Sequence, residues 1–438
     1  MAKLETQPLK GFRDFLPPAA AAREKVLGTI KTVFQTYGFL PLETPALEYK
    51  EVLTGKYGSE GDKLLYSFQD KGERDVAMRY DLTVPLARVV AEYQNELPMP
   101  FKRYQVAPVW RADRPQKGRF REFTQCDADV VGTSSIFADA EVIACFNTAL
   151  QELGIGEVII KINNRKVLDG LMRAAKIDAA KTADAIRALD KLEKIGEDAV
   201  RGELASAGIQ TTQADELFNL LGQGLEDPKD VLGKLEGIDG AGELAELLEV
   251  LLQMGVKNYK VDLTLARGLD YYTGTIFELV LPDAREFGSV AGGGRYDNLV
   301  GMFSRPAGGQ AGKKVPAVGG SIGIDRLMAA LTELELVKLD SVSDVLVCNL
   351  DESLSEKYLQ IVGQLRAIGV KTDFYYEAAK LDKQLKYADK KNINFAVLVG
   401  SDEAKSGEAT VKNMKTGKQE KISQTELTNF LKSAIINT

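Results

Sequence analysis

The 438-residue sequence contains no histidine. This absence excludes a Ser-His-Asp or Cys-His catalytic arrangement, a histidine-liganded zinc site and an imidazole proton shuttle. Any general base must therefore be a carboxylate, a lysine or a group of the substrate. Cysteine is also scarce: Cys126, Cys145 and Cys348 are odd in number and lack metal-ligand spacing. We expect these cysteines to be small, reduced core residues.

Long apolar runs are missing as well. No window approaches the ~20 apolar residues of a membrane span, and the opening MAKLETQPLKGF lacks the apolar segment of a secretory signal. The sequence therefore predicts a cytoplasmic protein with no membrane partner. A net charge of -7 and a pI near 5.2 argue against non-specific coating of nucleic acid, so any RNA contact must come from local basic patches.

The residues that are present predict a globular chain of two or three domains, with 45% hydrophobic and 27% charged residues. Alternating runs in residues 60–132 and 257–325 indicate an antiparallel sheet, and Ala-, Leu- and Glu-rich amphipathic helices lie between these two regions. Beyond residue 341, strands alternate with helices, which is typical of a separate α/β domain. The predicted divisions are a core in residues 1–165 and 257–335, a helical insertion in residues 166–256, and an α/β domain in residues 342–438.

The stretch LTLARGLDYYTG places an arginine after an apolar run. The alternation in VDLTL predicts a strand with Val261, Leu263, Leu265 and Arg267 on one face, so Arg267 is expected to point where the core residues point. A guanidinium is rarely buried unless an anion meets it. The stretch therefore predicts an anion beside Arg267.

Residues 103–132 predict a β-hairpin with a long basic loop. In its second strand, Cys126 belongs to one compact face, and Phe123, Gln125, Asp127 and Asp129 form the other face. This second face either lines a polar pocket, with loop arginines gripping phosphates, or is an exposed sheet face beside a solvated loop.

Two glycine-rich stretches complete the pattern. PAVGGSIGIDRLMAAL predicts a small-residue strand that leads into a helix, with room for a flat ligand against the backbone. AGGGRYDNLVG predicts a turn at Gly292–Gly294 before a helix, with Tyr296 as either a ligand contact or a packed aromatic. PAVGGSIGIDRLMAAL lacks the ending of a phosphate-binding P-loop, as does GGQAGKKV, where no Ser or Thr follows the lysines.

In this order, GFLPLETPALE, the GRFREF hairpin and GGSIGIDRL resemble the three motifs of class II aminoacyl-tRNA synthetases. LARGLDYYTG and AGGGRYDNL resemble signatures of the histidyl-tRNA synthetase family, and the likeness spans essentially the whole chain. It implies an α+β fold: a class II antiparallel-sheet catalytic core with a helical insertion, plus a C-terminal α/β anticodon-binding domain. It also implies ATP-dependent formation of histidyl-adenylate and transfer of histidine to its tRNA.

The resemblance assigns a group of residues to ATP, with magnesium accompanying the nucleotide and no metal held by the protein itself. Arg111 is matched to the α-phosphate, and Arg119 and Arg326 to the γ-phosphate. Adenine is expected to stack between Phe123 and Arg326, near Asp113. The resemblance places Arg267 beside the α-phosphate and the substrate carboxylate.

A second group is assigned to L-histidine. Asp81, Thr83 and Gln125 match residues that hold the α-amino group, with Leu82 between the first two. The residues matched to the imidazole are Asp129, Tyr272 and Tyr296, with Tyr271 adjacent, and Arg111 and Arg267 also contact the amino acid. Asp81 and Asp129 stand where many bacterial relatives have glutamate.

The expected partners are histidine tRNA and a second copy of the chain, since the first motif, centred on Pro45, implies a homodimer. Lysines in residues 371–421 are dense enough for an RNA phosphate footprint. Two alternatives remain at this point: a histidine-sensing regulatory subunit of ATP phosphoribosyltransferase, and a domain that senses uncharged tRNA. The regulatory subunits usually lack the C-terminal domain and the catalytic arginine motif, and the tRNA sensors normally lose activation residues. This chain has both Arg267 and residues 342–438.

Overall fold

The computed structural model describes residues 5–57, 61–116, 118–221, 228–266, 271–303, 314–337 and 341–436. The chain divides into two compact units. The first consists of residues 1–14 and 26–337, and the second of residues 15–25 and 338–438. No helix within the described ranges is long and apolar enough to cross a membrane.

The first unit is built on an eight-stranded sheet with the order β1-β5-β6-β11-β10-β9-β7-β8. The strands of this unit are β1 Leu40–Pro41, β2 Leu47–Tyr49, β3 Ser67–Gln69, β4 Asp75–Met78, β5 Phe101–Trp110, β6 Glu122–Val131, β7 Ile159–Asn164, β8 Tyr259–Val261, β9 Thr275–Val280, β10 Ser289–Arg295 and β11 Ala317–Gly323. Pairing is antiparallel from β5 to β7 and parallel at both edges, β1 with β5 and β7 with β8. The large antiparallel sheet is the predicted class II core.

Several helices of this unit pack on the large sheet. The helices of the unit are the later part of α1 Pro17–Thr36, then α2 Lys50–Leu53, α3 Thr83–Glu92, α4 Ile136–Gln151, α5 Arg165–Ala174, α6 Ala179–Leu189, α7 Leu192–Ile195, α8 Glu197–Ser206, α9 Thr211–Leu221, α10 Pro228–Lys234, α11 Ala241–Gln253 and α12 Ile324–Glu333. Helices α5 to α11 lie in sequence between β7 and β8, which are neighbours in the sheet.

Alternation explains how β6 separates two environments. Cys126, Ala128 and Val130 enter a large hydrophobic cluster with α4, whose Phe146 packs 6.0 Å from Phe277 of β9. The intervening residues of β6 face the opposite side of the sheet, because successive side chains of a strand alternate. The sheet therefore has one apolar face and one face on which buried polar groups collect.

Two of the sequence-based expectations for this unit are wrong. The strand predicted through Leu265 ends at Val261, because the side chain of Asp262 accepts from the backbone N–H of Thr264 at 3.1 Å and closes a turn. Leu263 and Leu265 are nevertheless buried. Gly292–Gly294 lie inside strand β10 rather than in a turn, because they pair with β9 and β11 on both sides.

A smaller three-stranded sheet, with the order β2-β4-β3, also belongs to the first unit. Glu48 in β2 is buried and accepts from Arg88 of α3, with its Oε1 2.9 Å from Arg88 Nη2. Asp81 lies three residues after the end of β4 and two residues before α3, so this small sheet and its helix bring a carboxylate to the beginning of α3.

The second unit contains a five-stranded sheet with the order β13-β12-β14-β15-β16. Its strands are β12 Val345–Val347, β13 Thr372–Phe374, β14 Phe395–Leu398, β15 Glu408–Asn413 and β16 Gln419–Ser423, and its helices are α13 Ser355–Ala367, α14 Leu381–Lys390, α15 Ser401–Ser406 and α16 Leu427–Ile436. β12, β13 and β14 are parallel, as the alternating strand and helix pattern predicts, and β14, β15 and β16 are antiparallel.

Candidate active site

The polar face of the sheet is organised by strand register. Asp129 of β6 lies opposite Arg103 of β5 and Gly319 of β11. Asp127, two residues earlier in β6 and on the same face as Asp129, lies opposite Gln105 and Ser321. Residues directly opposite each other in a sheet project to the same face. The hairpin and the glycine strand therefore assemble this polar cluster together.

Glycine in β11 is required by the closeness of Asp129. A Cβ atom at Gly319 would lie 1.9 Å from Oδ1 of Asp129, and one at Gly294 of β10 would lie 2.8 Å from the ring of Tyr272. No side chain can be placed at those distances. Gly319, one of the glycines in the stretch predicted to leave room for a flat ligand, therefore leaves room for a carboxylate of the protein, and Gly294 leaves room for an aromatic ring.

Asp129 lies at the centre of a buried network. The hydroxyl of Tyr296 donates to its Oδ1, and Nη2 of Arg103 lies 2.9 Å from its Oδ2. Arg103 has no exposed surface, and its Nη2 donates to the carbonyl of Leu82 at 3.1 Å. Its Nε and Nη1 have no hydrogen-bond partner among the residues that the structure describes. Burial raises the pKa of both Asp129 and Tyr296.

The two carboxylate oxygens of Asp81 differ in their hydrogen bonding. The Tyr57 hydroxyl donates to Oδ1 at 3.1 Å, and the backbone N–H of Val84 donates to the same atom at 3.0 Å. Oδ2 is buried without a partner in the described part of the chain. Burial raises the pKa of Asp81, and the nearby Arg111 lowers it. The unpaired oxygen is suited to a cationic donor such as an ammonium group.

Tyr271, Tyr272 and Tyr296 pack together near Asp81 and Asp129, and we call this region the tyrosine pocket. Tyr271 packs edge-on against Tyr272, with ring centroids 4.9 Å apart, and against Tyr296 at 5.9 Å. Its hydroxyl is hydrogen-bonded to the side chain of Thr83, while burial raises its pKa well above the ordinary value. Tyr271 and Tyr296 are buried, and Tyr272 is half-buried. The pocket can therefore accept a planar ring with hydrogen-bonding edges.

Burial, together with the neighbouring Asp129, raises the pKa of Asp127 to about 8, although Arg103 acts in the opposite direction. Its Oδ1 has no hydrogen-bond partner within the described ranges. A carboxyl group that is protonated near neutral pH avoids much of the cost of a buried negative charge.

This shift predicts a pH dependence of stability. From pH about 4 to about 8, native Asp127 keeps a proton that an unfolded aspartate has lost, so stability falls as pH rises, by up to about 1.4 kcal/mol per pH unit. Asp127→Asn should flatten this slope. The measurement is thermal unfolding at pH about 5.5 and about 8, followed by the fluorescence of Trp110, the single tryptophan, which lies in β5. Equal slopes in native and variant protein would contradict it.

Arg111 lies at the base of the hairpin loop, next to this pocket. Its guanidinium is 4.2 Å from the ring centroid of Tyr80 and 5.1 Å from that of Phe123, and its Nε donates to the carbonyl of Tyr80 at 3.1 Å. Its backbone N–H donates to the carbonyl of Arg121 at 2.8 Å, which closes the base of the loop. Stacking on two rings holds the guanidinium flat and leaves its outer nitrogens for an anion.

The loop brings further arginines to the same side. Gln116 and Arg119 pair across the loop, and Gly118 adopts a φ of 72°. A Cβ atom at Gly118 would lie 3.8 Å from Cγ of Arg326, so the loop tip lies beside the first turn of α12. Arg119 is exposed, whereas Arg326 is half-buried and donates to the carbonyl of Ser289. Arg111, Arg119 and Arg326 together form a positively charged surface, the arginine platform, next to the tyrosine pocket.

Sequence reasoning missed several residues that build the site. Asp325 pairs with Arg13 and accepts from the backbone N–H of Thr124 at 2.8 Å, which links the N-terminal segment, β6 and α12. Arg295 pairs with the buried Asp139 and donates to the carbonyl of Thr133 at 3.0 Å. The charged residues in GFRDF and GGGRYD were the available signal, but a sequence does not show which charges are paired.

The remaining predicted residues fall into two groups. Asp113 is placed beside the loop, where its carbonyl accepts from Nε of Arg121 at 3.1 Å, and Leu82 is fully buried. Arg267 lies outside the described residues. Within the described residues, no group of three or more acidic or cysteine side chains is arranged to hold a metal ion.

Comparisons with known proteins agree on one family. A family model described as histidyl-tRNA synthetase matches residues 11–327, and one described as an anticodon binding domain matches residues 344–434. A histidine–tRNA ligase of Rhodopirellula baltica is 42% identical over 427 residues, covering 94% of each chain. A histidine–tRNA ligase of Gloeobacter violaceus is 44% identical over 457 residues, covering 95% of this chain and 96% of the relative.

Solved structures show the same likeness. The crystal structure of a histidyl-tRNA synthetase from Nostoc has a TM-score of 0.85 and 34% identity, covering 99% of this chain and 100% of that chain. A Bacillus halodurans protein described as an ATP phosphoribosyltransferase regulatory subunit/histidyl-tRNA synthetase has a TM-score of 0.73 and 24% identity, covering 88% of this chain and 97% of that chain. At that identity the second likeness shows the fold alone.

Proposed function

The chain belongs to the histidyl-tRNA synthetase family, and we propose that its tyrosine pocket holds histidine while the arginine platform beside it holds ATP. It is a class II ligase that activates histidine and joins it to histidine tRNA. Full-length relatives named as ligases support this activity over the regulatory-subunit and tRNA-sensor alternatives. The observation that carries the assignment of sites is a pair of buried acceptors, Asp81 Oδ2 and Gln125 Oε1, which have no partner within the described ranges, with Arg111 near Asp81.

In this proposal the α-amino group of histidine meets Asp81, Thr83 and Gln125. Asp81 Oδ2 and Gln125 Oε1 are buried acceptors without partners among the described residues. An ammonium group has three donors and no acceptor. Its binding gives those oxygens the partners that the protein does not supply, and it neutralises the buried carboxylate.

The imidazole ring meets Asp129, Tyr272 and Tyr296 in this proposal, with Tyr271 behind them. Asp129 and Tyr296 are already hydrogen-bonded to each other, so the ring meets an edge whose orientation is fixed. A ring without matching N–H and N groups leaves these buried polar atoms unpaired, which discriminates strongly against other amino acids.

ATP occupies the arginine platform. We assign the α-phosphate and the substrate carboxylate to Arg111 and Arg267, the γ-phosphate to Arg119 and Arg326, and the adenine ring to the face of Phe123, near Asp113. The stacked position of Arg111 between the pocket and the loop supports this order. We propose that magnesium accompanies ATP and is held by the phosphate oxygens, where it neutralises part of their charge.

The chemistry then requires little proton transfer by the protein. The histidine carboxylate attacks the α-phosphorus, and the bond from that phosphorus to pyrophosphate breaks. Two anions must approach each other before this exchange, so cations on both sides lower the barrier. A protein without imidazole side chains can perform these steps, because arginine, carboxylate, amide and tyrosine groups supply every assigned role.

The proposed pocket is tested by pyrophosphate exchange with each proteinogenic amino acid in turn. Histidine alone should support exchange, because its ring matches the Asp129 and Tyr296 edge. Exchange with several amino acids, or with none, would contradict the assignment of this pocket.

For tRNA we propose contacts through the second unit, which matches an anticodon-binding domain. Lys383, Lys386 and Lys390 are exposed and share one side of α14, away from the buried Gln384 and Ala388. A stripe of lysines with this spacing is suited to a phosphate backbone. Protection of these three lysines from acetylation when histidine tRNA binds is the measurement that checks the proposal.

We also propose that the predicted divisions at residues 165, 256 and 342 bound the functional domains, and that the protein acts in the cytoplasm as a homodimer. Exposed apolar side chains on β1, β2 and β3 support the dimer: Leu40, Leu47, Tyr49 and Phe68 are each 44–59% exposed. Such a concentration of apolar surface is typical of a protein interface. One chain has a mass of 47.8 kDa. Sedimentation at twice that mass would agree with a homodimer.

A further inference from the structure

A chain of hydrogen bonds joins Gln125 to Ser321 and Ser321 to Asp127. Nε2 of Gln125 in β6 donates to Oγ of Ser321 in β11 at 2.9 Å. Ser321 is in turn hydrogen-bonded to the side chain of Asp127, two residues further along β6. The register that places Asp127 opposite Ser321 makes this three-residue relay possible.

The direction of the relay follows from counting protons. A serine hydroxyl has one proton to donate and lone pairs with which to accept. Because Ser321 accepts from the Gln125 amide, its own proton is free for an oxygen of Asp127. An ionised Asp127 can only accept, and a protonated Asp127 still has a carbonyl oxygen that accepts, so the same direction holds in both states.

This direction determines which end of the Gln125 amide faces the ligand. With its NH₂ group held by Ser321, the amide turns Oε1 away from Ser321, and that oxygen is buried without a partner in the described part of the chain. The opposite orientation has nearly the same shape but presents NH₂ donors. Those donors would meet an ammonium group, which has no acceptor.

We propose that Ser321 and Asp127 are positioning residues that hold the Gln125 amide with its oxygen towards the α-ammonium group of histidine. This inference rests on the proposed role of Gln125. Neither residue touches the substrate in it. Their effect reaches the substrate only through the orientation of one amide, so it must depend on the presence of the α-ammonium group.

The surroundings of Asp127 are highly charged, and a purely structural role is the competing explanation. The titratable or charged groups that interact with Asp127 are Arg103 of β5, Asp129 of β6, Asp81 and Arg79 near β4, and Tyr296 after β10. If Asp127 served only to balance Arg103, its replacement would disturb Asp129 and the ring side of the pocket as well. The two explanations therefore differ in which part of histidine is affected.

The experiment compares histidine with 3-(imidazol-4-yl)propanoate, which keeps the ring and the carboxylate but lacks the α-amino group. Pyrophosphate exchange gives KM for histidine, and competitive inhibition gives Ki for the analogue, in the native enzyme and in Gln125→Ala, Ser321→Ala, Asp127→Ala and the Ser321→Ala/Asp127→Ala double variant. Ser135→Ala is the matched control, because the side chain of that serine caps α4 and does not belong to the relay.

Loss of a hydrogen bond to a charged group should raise KM for histidine about 10-fold in each of the three single variants, while Ki for the analogue stays within about 2-fold. The double variant should be no worse than the more affected single variant, because both residues act through one amide. Ser135→Ala should leave both constants unchanged.

Two results would overturn the positioning role of Ser321 and Asp127: equal weakening of histidine and the analogue, or no weakening of either, while Gln125→Ala still separates the two ligands. If Gln125→Ala itself fails to separate them, the proposed role of Gln125 is wrong, and the relay has no route to the substrate. These outcomes are distinguishable because each variant is measured with both ligands.

Discussion

Arg267→Ala is expected to lower kcat for histidine activation by a factor on the order of 10² or more, with a much smaller change in histidine affinity. The reason is the timing of charge. Negative charge is most concentrated where the carboxylate and the α-phosphate meet, and this meeting occurs only as the adenylate forms. A cation assigned to that position stabilises the transition state more than the bound substrate.

Single-turnover formation of histidyl-adenylate measures the chemical step, and equilibrium dialysis measures histidine binding. Arg187→Ala is a suitable control, because Arg187 is exposed on α6 and pairs with the neighbouring Asp184. Near-normal activation by Arg267→Ala would show that the anion expected beside Arg267 is not the reacting phosphate. A fall in thermal stability parallel to activity would indicate a structural arginine instead.

Asp81→Asn should raise KM for histidine about 10²-fold, since removing one partner of a buried charge pair costs roughly 2–5 kcal/mol. The amide keeps the shape of the carboxylate and can retain the bonds from Tyr57 and Val84 through its oxygen. It then places an NH₂ group where Oδ2 was, facing the substrate ammonium.

Although Asp81→Asn should weaken histidine binding, it should not lower the stability of the folded protein. Because burial raises the pKa of Asp81, a neutral side chain is easier to bury there, and the melting temperature should be equal or higher. Steady-state exchange and thermal unfolding give the two quantities, with Asp178→Asn, a change at the exposed cap of α6, as the control. Normal KM in Asp81→Asn would remove Asp81 from the ammonium site, and a destabilised variant would indicate a folding role.

The sequence pattern was sufficient to predict the parts of the fold that depend on local periodicity. The hairpin of β5 and β6 has the two faces expected from alternation, and the strand of Ala317–Gly323 leads into α12 as its small residues indicate. The end of β8 was not predictable in the same way, because the side chain of Asp262 competes with the strand for the backbone N–H groups.

The pocket was harder to predict, because its charges come from strands far apart in sequence. Asp129 and Arg103 become partners only through the pairing of β5 with β6, and nothing local to Arg103 distinguishes it from the exposed loop arginines. Gly292–Gly294 have the composition of a turn, yet neighbouring strands on both sides hold them extended. Tertiary pairing overrode local preference there.

Asp81 Oδ2 and Gln125 Oε1 have no partner among the described residues, so under the proposed binding mode the empty protein should be less stable than the histidine-bound protein. Buried acceptors without donors raise the free energy of the empty folded state, and a ligand that binds only this state stabilises it against unfolding in proportion to the logarithm of its concentration. With histidine bound as proposed, a fall in the free histidine of a cell should make the enzyme more open to proteolysis as well as less active.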